Sequence, residues 1–158
     1  MKPQTNLLTV IILCLVSISC DDNSSKEKEE ESIRKMFSEW EALGEKGDMN
    51  FMNYYTDDAI WMNPGSIKDV TKEEAYPIYE SFLKDYRFDQ EITIHEIQIC
   101  DKWAYVRSTA DGWLLPKEGV EKDSMRAISR HLTIVKKQPD GSWKVYRDIY
   151  NNPPSEGE

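Results

Sequence analysis

The sequence predicts the α+β class, with helices first and an antiparallel sheet after them. Three observations carry this reading. Apolar residues recur at helical spacing in the first half, alternate at period two in the second, and a Pro-Asp-Gly turn parts the last two apolar runs.

From Ser32 to Glu45, the residues Ile33, Met36, Phe37, Trp40 and Leu43 share one face of a helix, which Gly44 and Gly47 close. Asp48 can cap a second, shorter helix that carries Phe51, Met52 and Tyr55. Thr71-Lys-Glu-Glu74 has the form of a capping box for a third, which presents Tyr79, Phe82, Leu83 and Tyr86. Pro77 falls inside that helix, where its ring and missing N–H predict a bend or a shortened start. A short strand is expected near Ala59 to Met62. Four longer strands follow: Ile92 to Ile99, Trp103 to Arg107, Ala127 to Val135 and Trp143 to Tyr150. Between the last two lies Gln138-Pro-Asp-Gly-Ser142, where proline presets one dihedral and glycine accepts the left-handed one.

A chain of 158 residues suits one domain, and 39% hydrophobic with 31% charged residues is an ordinary globular balance. A domain of this size buries roughly two-thirds of its unfolded surface. The net charge of −9 speaks against nucleic-acid binding, which needs a basic face to release counterions. It speaks equally against adhesion to anionic lipid through charge alone.

Lys2 is the only charge among the first twenty residues, and Leu7 to Ile18 are almost wholly apolar. That run is short for a membrane span and matches the apolar region of a signal peptide, here residues 1–19. Ser17-Ile18-Ser19-Cys20, followed by Asp21-Asp-Asn-Ser-Ser25, resembles the lipobox of bacterial lipoproteins. The resemblance implies diacylation (palmitate-type acyl chains) at Cys20, a membrane anchor, and a domain held in the cell envelope outside the cytoplasm. Ser17 departs from the leucine that lipoboxes prefer, and an ordinary secretory signal is the alternative. With Cys14 removed and Cys20 lipidated, Cys100 stands alone, so no internal disulfide forms. It reads as a small buried hydrophobe at a strand end. Residues 20–31 hold no large apolar side chain and read as an acidic tether, and 153–158 as a disordered tail. The folded domain is expected over 32–152.

Gly47-Asp48, Tyr55-Thr-Asp-Asp-Ala59, Asn63-Pro64-Gly65, the third helix, and Asp140-Gly-Ser-Trp143 leading to Arg147-Asp-Ile-Tyr-Asn151 form a familiar series. Together they resemble the nuclear transport factor 2-like (cystatin-like) superfamily, particularly its SnoaL-like and ketosteroid-isomerase-like bacterial members. The resemblance implies a curved antiparallel sheet wrapped as a cone around three N-terminal helices, with a pocket at its open end. It also implies a homodimer through the outer sheet face. Ketosteroid-isomerase-like enzymes place a carboxylate base where this chain has Asn63, and an amide cannot abstract a carbon-bound proton. Their oxyanion donors would fall at Trp40 and near Thr133. All three positions differ, so steroid-type isomerisation is not expected.

Other candidates come from strand parity and residue type. His131 shares parity with Thr133 and can face the cavity near Asp148 or Tyr150 of the next strand. A His131–Asp148 pair is either an acid–base dyad or two polar groups satisfying each other in a half-buried strand. Trp40, Tyr55, Trp61 and Trp113 either line an apolar pocket or belong to an ordinary core. With Asn63, His131, Asp148 and Tyr150 they make the expected ligand-binding set. Asp57 and Asp58 read as cap and turn between the second helix and first strand, and His95 as outer surface. No metal-binding spacing, phosphate loop or nucleophile elbow is present, and no cofactor is expected. Three functions remain open. They are a domain binding a small apolar or aromatic ligand, an enzyme of hydrolase, dehydratase or cyclase type, and a dimeric protein-interaction module.

Overall fold

The structure, a computed structural model, describes residues 21–153, with side chains from Ser24 onward. The signal peptide, Cys20 and residues 154–158 lie outside the described residues.

The first helix is longer than its apolar stripe. Helix α1 runs Asp21–Lys46, so residues 21–31 of the segment read as a tether are helical. Its Glu and Lys residues are strong helix formers, and Glu30–Arg34 makes an i,i+4 ion pair at 2.7 Å. What fixes this part of α1 to the domain is Glu29. Its Oε2 accepts from Trp143 Nε1 at 2.9 Å, and Lys137 Nζ donates to its Oε1. The helix ends as glycine dictates. Gly47 has φ of 61°, its N–H reaches the Gly44 carbonyl, and Asp48 N–H reaches that of Leu43.

Asp48 then caps a 3-10 helix, Met49–Tyr54, by accepting from Asn50 N–H at 2.9 Å. Strand β1 (Tyr55–Met62) begins at once, so Asp57 and Asp58 do not form a turn: both are exposed strand residues. A two-residue strand β2 (Val70–Thr71) leads into helix α2 (Lys72–Asp85). The capping box is complete, Thr71 Oγ1 accepting from Glu74 N–H and Glu74 Oε2 from Thr71 N–H. Pro77 does not shorten α2. It and Glu73, whose carbonyl loses its helical donor, both lie on the exposed side, within reach of water.

Strands β3 (Tyr86–Cys100), β4 (Trp103–Pro116), β5 (Met125–Lys137) and β6 (Trp143–Asn151) form the antiparallel meander. Each is longer than its apolar run. The full order is β2-β1-β6-β5-β4-β3, and β1 pairs parallel to β6, so the sheet is mixed rather than wholly antiparallel. It curves round the helices without closing. Bulges break the register of β3–β4 and β5–β6, and Gly112 lets β3 come very close to β4. A Cβ there would lie 2.0 Å from the Asp89 carbonyl oxygen. The predicted turn after Lys137 is formed, with Gly141 at φ of 87°. Cys100 does end β3, but its side chain is exposed rather than buried.

The core sits between the helices and the inner sheet face. Ile33, Phe51, Met52, Val106 and Val135 are fully buried there. The inner face carries Ala104, Val106, Ser108 and Ala110 of β4, while Trp103, Tyr105 and Arg107 point outward.

Candidate functional site

The helices do not fill the concave side of the sheet. A cavity of about 420 Å³ lies between α1, the 3-10 helix, α2 and the inner faces of β3 to β6. Aromatic rings form one part of its wall: Trp40, Phe51, Tyr55, Trp61, Tyr79 and Phe88. These rings brace one another, with Tyr55 and Trp61 centroids 4.4 Å apart and Phe51 edge-on to Tyr79 at 5.1 Å. Burial pushes the Tyr55 and Tyr79 hydroxyls well above their usual range, and the Asp148 carboxylate adds to both shifts.

Six of the expected ligand-binding residues line this cavity: Trp40, Tyr55, Trp61, His131, Asp148 and Tyr150. Two do not. Trp113 has the parity of Trp103 and Tyr105, is 43% exposed on the outer face, and lies under the Arg126 guanidinium at 5.5 Å. Asn63 follows the last residue of β1 and is not among the lining residues. His95 is exposed, as expected, and bonds to Thr109 Oγ1 at 2.8 Å.

The polar end of the cavity is built on β5 and β6. Antiparallel register sets Thr133 opposite Asp148 and His131 opposite Tyr150. Asp148 is 7% exposed and accepts from Thr133 Oγ1 at 2.9 Å and from His131 Nδ1 at 3.1 Å. A carboxylate only accepts, so Nδ1 of the neutral ring carries the proton and Nε2 presents its lone pair. Ser129 Oγ lies 2.7 Å from that Nε2 and so donates to it. Tyr150 stacks on the imidazole, centroids 5.1 Å apart and planes 17° apart, and fixes its plane. The result is a continuous chain, Ser129–His131–Asp148–Thr133.

The parity that turns His131 inward turns Ser129 inward as well, two residues earlier on the strand. That was the signal available in the sequence, and a search for nucleophile-elbow motifs passes over it.

The Trp40 indole N–H is enclosed by protein and has no hydrogen bond of good geometry; the group it acts on is the Tyr55 hydroxyl. Two other polar lining groups, Glu41 and Arg126, are engaged. Glu41 Oε1 accepts from Ile92 N–H at 2.8 Å, and burial raises its pKa. Arg126 pairs with Asp111 and donates to the Gly112 carbonyl. Among the described residues no three His, Cys, Asp or Glu side chains stand together as a metal site, and no helix is long and apolar enough to cross a membrane.

Helices packed on the concave face of a curved, open six-stranded sheet, with a cavity between the layers, define the nuclear transport factor 2-like fold. The chain has the fold of that superfamily, as its similarity to solved structures shows. A conserved protein from Planctomyces limnophilus superposes with a TM-score of 0.71 at 22% identity, over 80% of this chain and 99% of that one. A ketosteroid isomerase-like protein from Erwinia carotovora atroseptica gives 0.64 at 26% identity, over 78% and 95%. A candidate scytalone dehydratase from Novosphingobium aromaticivorans gives 0.68 at 14% identity, over 84% and 89%. No family model matches the sequence, and no curated protein matches it.

Proposed function

We propose that this is an envelope lipoprotein whose domain binds a small, uncharged, apolar or aromatic molecule carrying one polar group. One observation carries the reading: an aromatic-walled cavity of about 420 Å³ that ends on a hydrogen-bonded Ser–His–Asp cluster. Aromatic walls reward a flat or greasy body, and the polar cluster orients the polar end. The ligand is uncharged because the arginine lining the cavity is already paired, while Glu41, Glu45 and Asp148 also line it. Steroid-type isomerisation is not proposed, since the matching base position is Asn63. The lipid on Cys20 rests on the apolar run and the small residues before that cysteine. Cys20→Ala should release the protein from membranes.

Native mass spectrometry of the full chain tests the binding reading. A mass a few hundred daltons above the apoprotein, lost in Trp61→Ala, supports it. A clean apoprotein mass, with no uptake of apolar aromatic probes, refutes it.

The outer sheet face favours a second property, a homodimer. Tyr105 pairs with Ile134 and Leu132 with Ile149 across the strands, and all four are exposed. Light scattering should give twice the monomer mass, returning to one with Leu132→Glu and Ile134→Lys together.

A further inference from the structure

We infer that Ser129 is a nucleophile and that the domain transfers acyl groups, hydrolysing an ester of a small apolar acid or alcohol. The inference rests on the cavity reading above and goes beyond it by naming a reacting atom.

It follows from how His131 is used. Both ring nitrogens are engaged, Nδ1 with Asp148 and Nε2 with Ser129 Oγ. An imidazole held this way has no lone pair left for a ligand. Whatever basicity it has is delivered through the hydroxyl it holds. Ser129 lines the cavity together with His131 and Asp148, so the hydroxyl that His131 holds stands beside a bound molecule. A hydroxyl 2.7 Å from an imidazole whose far side is held by a carboxylate has the connectivity of an activated nucleophile.

The step balances within the chain and substrate. Ser129 Oγ forms a bond to the ester carbonyl carbon as His131 Nε2 takes the hydroxyl proton, and the carbonyl π pair moves to oxygen. Collapse breaks the bond to the alkoxy oxygen, which leaves with the proton from Nε2. Water then attacks the acyl-serine, again losing a proton to His131, and the acid departs with Ser129 restored.

The test uses the full chain with an alkyl fluorophosphonate and a short series of p-nitrophenyl esters. One phosphonyl group per chain, mapped to Ser129, is expected. Ser129→Ala should abolish it, and His131→Gln should slow it about a hundredfold or more. Ester turnover should fall in parallel in both variants, with circular dichroism confirming that each is folded. Ser129→Cys, which keeps a nucleophile, should label with iodoacetamide faster than the exposed Cys100. Labelling elsewhere, or a rate unchanged in His131→Gln, overturns the proposal. Binding of an apolar fluorescent probe is measured in the same samples. Probe uptake without labelling overturns the nucleophile and leaves the binding cavity standing; neither uptake nor labelling overturns both.

Discussion

Replacing Glu29 by Ala should destabilise the domain by about 2 kcal/mol. Glu29 lies in the part of α1 that carries no apolar stripe, and its carboxylate is the acceptor for Trp143 Nε1. Trp143 is 2% exposed, so its N–H would be left buried without a partner, which costs about 1–3 kcal/mol. The ion pair with Lys137 adds less. Both side chains keep over a quarter of their exposure, and such pairs contribute at most about 1 kcal/mol. At the usual scaling for a domain of this size, about 2 kcal/mol lowers Tm by roughly 6–10 °C. Glu29→Gln keeps an acceptor for the indole and loses only the charge, so it should cost about half as much. Urea unfolding is the assay, with the midpoint falling and the slope unchanged.

The pH dependence carries the same logic. Hydrogen bonds from Lys137 and Trp143 hold the Glu29 pKa below its ordinary value, outweighing its burial. A depressed carboxylate pKa stabilises the fold above the unfolded-state value and loses that contribution as pH falls through the folded-state one. Acid unfolding of Glu29→Gln should therefore be shallower than that of the native chain. If Glu29→Ala unfolds within about 0.5 kcal/mol of the native chain, α1 is not anchored here and the reasoning fails.

Two further predictions concern local geometry. Thr71→Ala removes the hydroxyl that caps α2 and should cost about 1 kcal/mol in urea unfolding. The Thr71 N–H and Lys68 hold Glu74 at about 2, so its contribution is full above its ordinary value and lost as pH falls toward about 2. Glu74→Gln should remove that step from an acid titration followed by circular dichroism. Gly112→Ala would put a methyl against the Asp89 backbone, forcing β3 and β4 apart at a cost of about 3 kcal/mol or more. Its thermal unfolding should be the lowest among the single variants.

What the sequence made legible was local. The caps at Asp48 and Thr71, the Gly47 stop and the turn at Gly141 are each written within a few residues, and all are formed. Strand lengths were underestimated because β3 continues through Arg87, Asp89 and Glu91. Those charges are tolerated in a strand paired only on its β4 side. The parallel pairing of β1 with β6 joins residues some ninety positions apart, and no local pattern encodes it. The helical start of α1 is hidden from a local reading for a related reason. Its support is a bond from Glu29 to Trp143, at the far end of the chain. For the site, parity on β5 turns His131 inward, whereas residue type alone does not place Trp113. The alternation from Trp103 through Tyr105 carries Trp113 to the outer face.

The polar cluster can be tested for whether it serves the fold at all. Removing one partner of a buried pair is costly, because the other is left without compensation. Asp148→Ala, which strands both Thr133 and His131, should cost about 3 kcal/mol. Replacing the whole cluster by apolar groups of similar volume is a different perturbation, since no polar group is then left buried and unpaired. Ser129→Ala, His131→Leu, Thr133→Val and Asp148→Leu together should be no less stable than the native chain in urea, and about 1–3 kcal/mol more stable if packing is good. A costly single change beside a neutral fourfold one would mean that the fold does not need these four residues. Their place at the end of an aromatic cavity then has its reason in what enters the cavity. If the fourfold variant is as unstable as Asp148→Ala, the cluster is structural, and a catalytic role would have to rest on the Ser129 labelling alone.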